Sequence, residues 1–430
     1  MNYKLLKNRS FFLLMQGSFV SQIGSMMQTF ALSLYVLNHY DSATLFASIL
    51  IVSIIPRLII GPFAGVLVDW FDRKKIIVRF DMISGVAVGM MALLYYQHGE
   101  LPLWSIYAIS MVLSLISTLF QPAVQTVIPT IMKKEDLVDA NAINSVIFTI
   151  GNLISPLLAG ALMSFSVIGV VLIVNAISFF ISAFTEIFIE MPSKHKIPEK
   201  ISIAVFRDDF FVGLAFIKKS KFVLMIGIVA CCLNFAISPV FSVAIPYILK
   251  IIIEVKDFEF GILNGVVATA SIASGIFAPR ITKLLSVNKI LLIDFIAQPI
   301  IVGIITVVTS GVVLSLTDGY LLPLVLLGIL EFILVLVMTL GNIVIGTTFQ
   351  KEIPNELLGR VGTVIGTFAM GAIPLGQGIY GIMLEKFQPW VPMLCSAILL
   401  LIVVVKIYPV LSNTDYSDSN DADLELEENV

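Results

Sequence analysis

Long apolar stretches separated by short polar joints make up most of the chain. Twelve occur, at roughly 11–37, 43–68, 76–97, 103–124, 141–163, 167–189, 222–249, 260–280, 290–316, 320–346, 361–384 and 390–411. About twenty helical residues cross the hydrocarbon core of a bilayer, so each stretch predicts a membrane-spanning helix. Several carry polar residues three or four apart, on one helical face. The first has Ser18, Ser21, Gln22, Ser25, Gln28 and Thr29; the fourth has Ser110, Ser114, Ser117, Gln121 and Gln125. The fifth has Asn141, Asn144, Ser145, Thr149 and Asn152; the seventh has Asn234, Ser238 and Ser242. Facing lipid, these groups would be unsatisfied, so each stripe is expected to border a cavity or another helix. Helix–helix hydrogen bonds account for Ser and Thr as well as a cavity does. For Gln22, Gln121, Asn152 and Asn234 a cavity is expected, with Arg57, Met338 and Asn342 among its candidate residues.

Ionisable residues inside such stretches are costly, about 2.5–3.5 kcal/mol at mid-bilayer on insertion scales, and mark ion or substrate paths. Arg57 lies twelve residues before Asp69, and Glu331 lies eleven after Tyr320, which places both near the middle of their spans. Asp81 and Asp294 are shallower. Glu331, Asp294 and Asp81 are the candidate proton-carrying groups. An ion pair of Arg57 with Asp81 or Glu331 is the structural alternative.

Composition agrees with the pattern. The 430 residues are 58% hydrophobic and only 13% charged, and mean hydropathy is +1.01. A soluble domain of this size needs more charge to cover its surface. The first stretch is too long, and too interrupted by polar residues, for a cleavable signal. With alternating spans and a cytoplasmic N-terminus, 22 of the 26 Lys and Arg fall in cytoplasmic segments and three opposite, leaving Arg57 in the membrane. That asymmetry predicts a plasma-membrane protein with both termini cytoplasmic. Seven acids and no base follow Ser412, which reads as a solvated, disordered tail over 412–430. Cys231, Cys232 and Cys395 lie in apolar spans, and neither a disulfide framework nor a metal site is expected.

Two halves are visible. "KKEDLVDANAINSVIFTIGNLISPLLAG" (133–160) and "IPNELLGRVGTVIGTFAMGAIPLGQG" (353–378) share an acidic-Leu turn, a helix start and Pro-x-x-x-Gly. "KIIVRFD" (75–81) parallels "KILLID" (289–294). The expected organisation is a six-helix half over 1–190, a linker over 191–221 and a second half over 222–411. The linker becomes amphipathic at Ile203, Phe206, Phe210, Leu214 and Ile217, predicting a helix on the cytoplasmic membrane surface. Parallel repeats imply a binding site between halves that rock about it.

The joint "GVLVDWFDRKK" resembles the signature loop of the major facilitator superfamily, with Gly65, Asp69, Arg73 and Lys74 matching and Asp72 in place of the second glycine. "GNLISPLLAG" is similar to the fifth-helix motif of its antiporter branch, with Ser155 and Ala159 where glycines are usual. "GPFAGVLVDWFDRKKI", "QPAVQTVIPTIMKKEDLVDANAINS" and "FQKEIPNELLGRV" extend the resemblance to macrolide-efflux (Mef-type) and related multidrug exporters. It implies the all-α major facilitator fold and proton antiport by alternating access. Gly65, Asp69, Arg73 and Lys74 would then form a conformational latch, and Pro156 and Gly160 would bend and thin the fifth helix.

The expected activity is export of lipophilic small molecules such as macrolides in exchange for protons, by a monomer in the lipid bilayer. The alternatives are a transporter of one metabolite, a siderophore or lysophospholipid, and a non-transporting scaffold. No Gly-x₄-Gly-Lys-Ser/Thr loop is present for an ATP-driven pump. His39, His98 and His195 are expected in loops, without the cluster or nucleophile elbow that an enzyme would need. No cofactor and no nucleic-acid partner is expected.

Overall fold

The computed structural model describes residues 3–69, 72–165, 168–191, 203–310 and 319–413; a few side chains inside helices, including Gly65 and Asp69, also lie outside the described set. Among the described residues there are helices and no strands. We label them α1 (Arg9–Tyr40), α2 (Ala43–Asp69), α3 (Arg73–His98), α4 (Leu103–Ile131), α5 (Leu137–Met163), α6 (Ile168–Ile187) and α7 (Ile203–Lys219). Then come α8 (Lys221–Ile252), α9 (Asp257–Leu284), α10 (Val287–Val308), α11 (Leu321–Glu352), α12 (Asn355–Lys386) and α13 (Trp390–Asn413). Eleven of them are long and apolar enough to cross a membrane. The amphipathic α7 is not one of these. Nor is α1, whose 32 residues are ample but whose polar stripe lowers its hydropathy. The acidic tail lies outside the described residues.

Local chemistry fixes the joints. Asn8 caps α1 by accepting from the Phe11 amide at 3.2 Å. Asp72 caps α3 by accepting from the Lys75 amide at 3.1 Å. The aspartate that replaces the second glycine of the signature loop therefore starts the next helix. In α8, wide π turns at Val240–Ala244 and Ile248–Ile252 follow Pro239 and Pro246. Proline lacks an amide hydrogen and crowds the carbonyl one turn back, so a wider turn re-satisfies the backbone.

The chain divides into two compact units: Met1–Ile201 with Glu254–Gly265, and Ser202–Ile253 with Val266–Val430. In the first, α6 packs on α3 and α1, α2 on α4, and α5 on α1. In the second, α13 packs on α10 and α8, α11 on α10, and α12 on α8. Three pairings of the first unit thus recur in the second: α6 on α3, α6 on α1 and α5 on α1 match α13 on α10, α13 on α8 and α12 on α8. The apolar face of α7 expected on the membrane surface is instead covered by protein: Phe210, Leu214 and Ile217 pack with Phe222, Val223, Val361 and Val364 of α8 and α12.

Each unit is inside-out relative to a soluble protein. On α3, Met82, Val86, Met90 and Leu93 are exposed, while Asp81 and Ser84 are buried. On α6, Ile173, Ile177 and Phe184 are exposed, while Asn175, Ser178, Ser182 and Glu186 are buried. Apolar side chains turned outward and polar ones inward suit hydrocarbon as the solvent.

Candidate functional site

In the first unit a polar seam runs along α6 where it meets α1 and α3. Asn175 Nδ2 donates to Gln28 Oε1 at 2.5 Å, and Ser178 Oγ donates to Asn175 Oδ1 at 3.0 Å. Glycines on α1 make the approach possible: a Cβ at Gly24 would collide with the Ser178 and Asn175 side chains, and one at Gly17 would lie 2.9 Å from Ser182 Oγ. One turn further along α6 is Glu186, 0% exposed, with Asp81 of α3, 2% exposed, as its charged neighbour. Asn175, Ser178, Ser182 and Glu186 recur at three and four residues, the same signal that marks the stripes on α1, α4, α5 and α8. It was legible in the sequence and was missed.

In the second unit Asp294 of α10 is 2% exposed and accepts from Gln298 Nε2 at 2.7 Å. Its carboxyl nests against Gly341 of α11, where any Cβ would collide with it. Gly341→Val should therefore push α11 off α10, costing about 1–3 kcal/mol. The expected result is a melting temperature several degrees lower for purified protein, partly restored by adding Asp294→Ala. Glu331 lies ten residues before Gly341, about 15 Å along the axis of α11. It is 7% exposed, and no hydrogen bond or ion pair to a described residue is found for it. Asp294 and Glu331 lie at different depths of one unit, and Asp81 belongs to the other with Glu186.

The remaining candidates divide by environment. Arg57, Gln121, Asn152 and Asn342 are exposed, and Gln22 and Met338 are half-buried. Arg57 forms no ion pair among the described residues, and Asp81, its expected partner in the first unit, faces Glu186. Asn234 is a helix–helix tie instead of a cavity group: its Nδ2 donates to the Ala369 carbonyl at 3.0 Å. Ser242 of the same stripe accepts from Gln377 Nε2 at 3.0 Å.

The latch is described only in part, because the side chains of Gly65 and Asp69 are outside the described residues. Arg73 Nη1 donates to the Thr126 carbonyl at 3.2 Å and to Thr130 Oγ1 at 3.1 Å, tying the start of α3 to α4; Lys74 is half-buried. Pro156 and Gly160 occupy a backbone-to-backbone crossing. A Cβ at Gly160 would lie 2.6 Å from the Asp257 carbonyl oxygen, and one at Gly261 would lie 2.6 Å from that of Pro156. Nearby, Asn38 Nδ2 donates to Asp257 Oδ1 at 3.2 Å, joining α1 to the start of α9.

Among the described residues no group of three or more His, Cys, Asp or Glu could hold a metal ion. Buried carboxyls and amides inside helices of membrane-spanning length mark the interior of a membrane transporter. The chain belongs to the transmembrane secretion effector family, a branch of the major facilitator superfamily, whose model matches residues 2–428. It is 24% identical over 375 residues to macrolide efflux protein A of Streptococcus pyogenes, covering 87% of this chain and 88% of that one. It is 21% identical over 301 residues to the staphyloferrin A transporter of Staphylococcus aureus, covering 69% and 72%. The crystal structure of the nucleoside transporter NupG has the same fold, with a TM-score of 0.73 at 13% identity, covering 94% of this chain and 99% of that one.

Proposed function

We propose that the protein exports lipophilic small molecules, macrolides among them, across the plasma membrane in exchange for protons. The observation that carries this reading is Glu331, a carboxyl buried in the middle of a spanning helix without an ion-pair partner among the described residues. Such a group is costly as a lone charge and suits the uptake and release of a proton. Arg57, Gln22, Gln121, Asn152, Met338 and Asn342 supply the solute cavity. Gly65, Asp69, Arg73 and Lys74 form the latch, and the protein works as a monomer with both termini cytoplasmic. The similarity to macrolide efflux protein A supports the substrate class.

The second reading is export of one metabolite, such as a siderophore, on the same fold. The similarity to the staphyloferrin A transporter favours it. Accumulation of labelled erythromycin in cells with and without the gene, with and without a protonophore, separates the two. Lower accumulation in cells carrying the gene, abolished by the protonophore, is the expected result. Equal accumulation of macrolides with secretion of a siderophore selects the second reading.

A further inference from the structure

Six buried oxygens lie on α1, α3 and α6, helices that pack together in the first unit. They are Asp81 Oδ2, both carboxyl oxygens of Glu186, and the hydroxyls of Ser18, Ser84 and Ser182; none has a hydrogen-bonding partner in the protein. All five residues are at least nine-tenths buried, with Glu186 and Ser182 at 0% exposure. Ser182 Oγ lies beside both carboxyls without good hydrogen-bond geometry to either. Ser18 follows Gly17, whose missing Cβ leaves room for Ser182 Oγ, and Ser84 is one helical turn beyond Asp81.

Among the described residues no basic group pairs with these carboxyls. The bases on the helices packed here are Arg9 and His39 on α1, Arg57 on α2, Arg73, Lys74, Lys75, Arg79 and His98 on α3, and none on α4, α5 or α6. Among the described residues none of them pairs with Asp81 or Glu186. The only other acid on these helices whose side chain is described is Asp139 of α5, near that helix's first turn. The corresponding carboxyl of the second unit, Asp294, has an amide donor in Gln298. For Asp81 and Glu186 the neighbouring polar side chain is the Ser182 hydroxyl. Oxygen donors without N–H groups around paired carboxyls are what a hard cation requires.

We propose that Asp81, Glu186, Ser18, Ser84 and Ser182 form a binding site for one Na⁺ within the first unit. With one carboxylate ionised, the other protonated and Na⁺ bound, the site is neutral, as its apolar surroundings demand. Mg²⁺ dehydrates reluctantly and keeps several waters, so a dry cluster of side chains suits it poorly. At the end of the unit where α1 begins and α6 ends, Ile189 is fully buried and Ser10 Oγ accepts from the Glu190 amide at 3.1 Å. The site is independent of the transported solute.

The test is melting of the purified full chain in detergent, in NaCl against choline chloride at equal ionic strength. The expected result is a rise of about 3 °C or more in NaCl, saturating with concentration. The rise is lost in Asp81→Asn and Glu186→Gln, and the half-saturating Na⁺ is about tenfold higher in Ser182→Ala, which keeps both carboxyls. Equilibrium dialysis with ²²Na⁺ should find one ion per wild-type chain. Equal melting in the two salts, a response to pH or Ca²⁺ but not to Na⁺, or a Na⁺ response that survives in both carboxyl variants would overturn the proposal. If Glu186→Gln does not fold, Asp81→Asn and Ser182→Ala decide it.

Discussion

Glu331→Gln is expected to abolish proton-driven transport while leaving the protein folded. Glutamine keeps the size and polarity of the protonated acid but cannot release a proton, so the coupling step of the proposed exchange is removed. In inverted vesicles under an imposed pH gradient, a cationic lipophilic substrate should then accumulate no further than passive equilibration allows. Counterflow exchange of the same substrate without a gradient should persist, because it needs the solute cavity and the conformational change but no net proton movement. Full gradient-driven accumulation by the glutamine variant would assign Glu331 a packing role. The proton site would then be sought at Asp294, whose carboxyl is held by Gln298.

Valine at Gly160 or Gly261 is expected to have the largest structural effect. Each glycine packs on the other's backbone, and a Cβ at either would come within 2.6 Å of a carbonyl oxygen. A rigid backbone cannot move aside as a side-chain tip can, so even the first added carbon must separate α5 from the start of α9. The cost is on the order of 1–3 kcal/mol for one added methyl and more for the branched side chain. Melting several degrees lower, with transport reduced well beyond the fall in protein amount, is the expected result for Gly160→Val. Alanine at both positions with unchanged melting and transport would show that the close crossing is dispensable.

The fold was largely legible because spanning helices declare themselves one at a time. Each of the stretches from 43–68 to 390–411 contains twenty or so apolar residues, and no long-range information is needed to place them. The amphipathic helix at 203–219 was legible for the same reason. Its environment was not: an apolar stripe fits a lipid surface and a protein groove equally well, and only the neighbours Phe222 and Val361 distinguish them. The polar interior was legible as stripes but not as partnerships. Asn234 reads as a cavity group until the Ala369 carbonyl is found beside it. Asp81 carries no sequence sign that its neighbour is Glu186, about a hundred residues on. Glu186 escaped because it sits at the end of its span, where a carboxylate looks like an ordinary helix terminus, yet its neighbours bury it completely.

The two wide turns of α8 bear on how its faces are assigned. Each π turn fits one extra residue into the spiral, which rotates everything beyond it by roughly 100° relative to a regular helix. A helical wheel drawn through 221–252 is therefore accurate only as far as Pro239. Tyr247 and the residues after it point about one residue position away from where the wheel puts them. Residues on the two ends of α8 that share a wheel face lie on different sides of the helix, so its two ends meet different surroundings although they belong to one uninterrupted span.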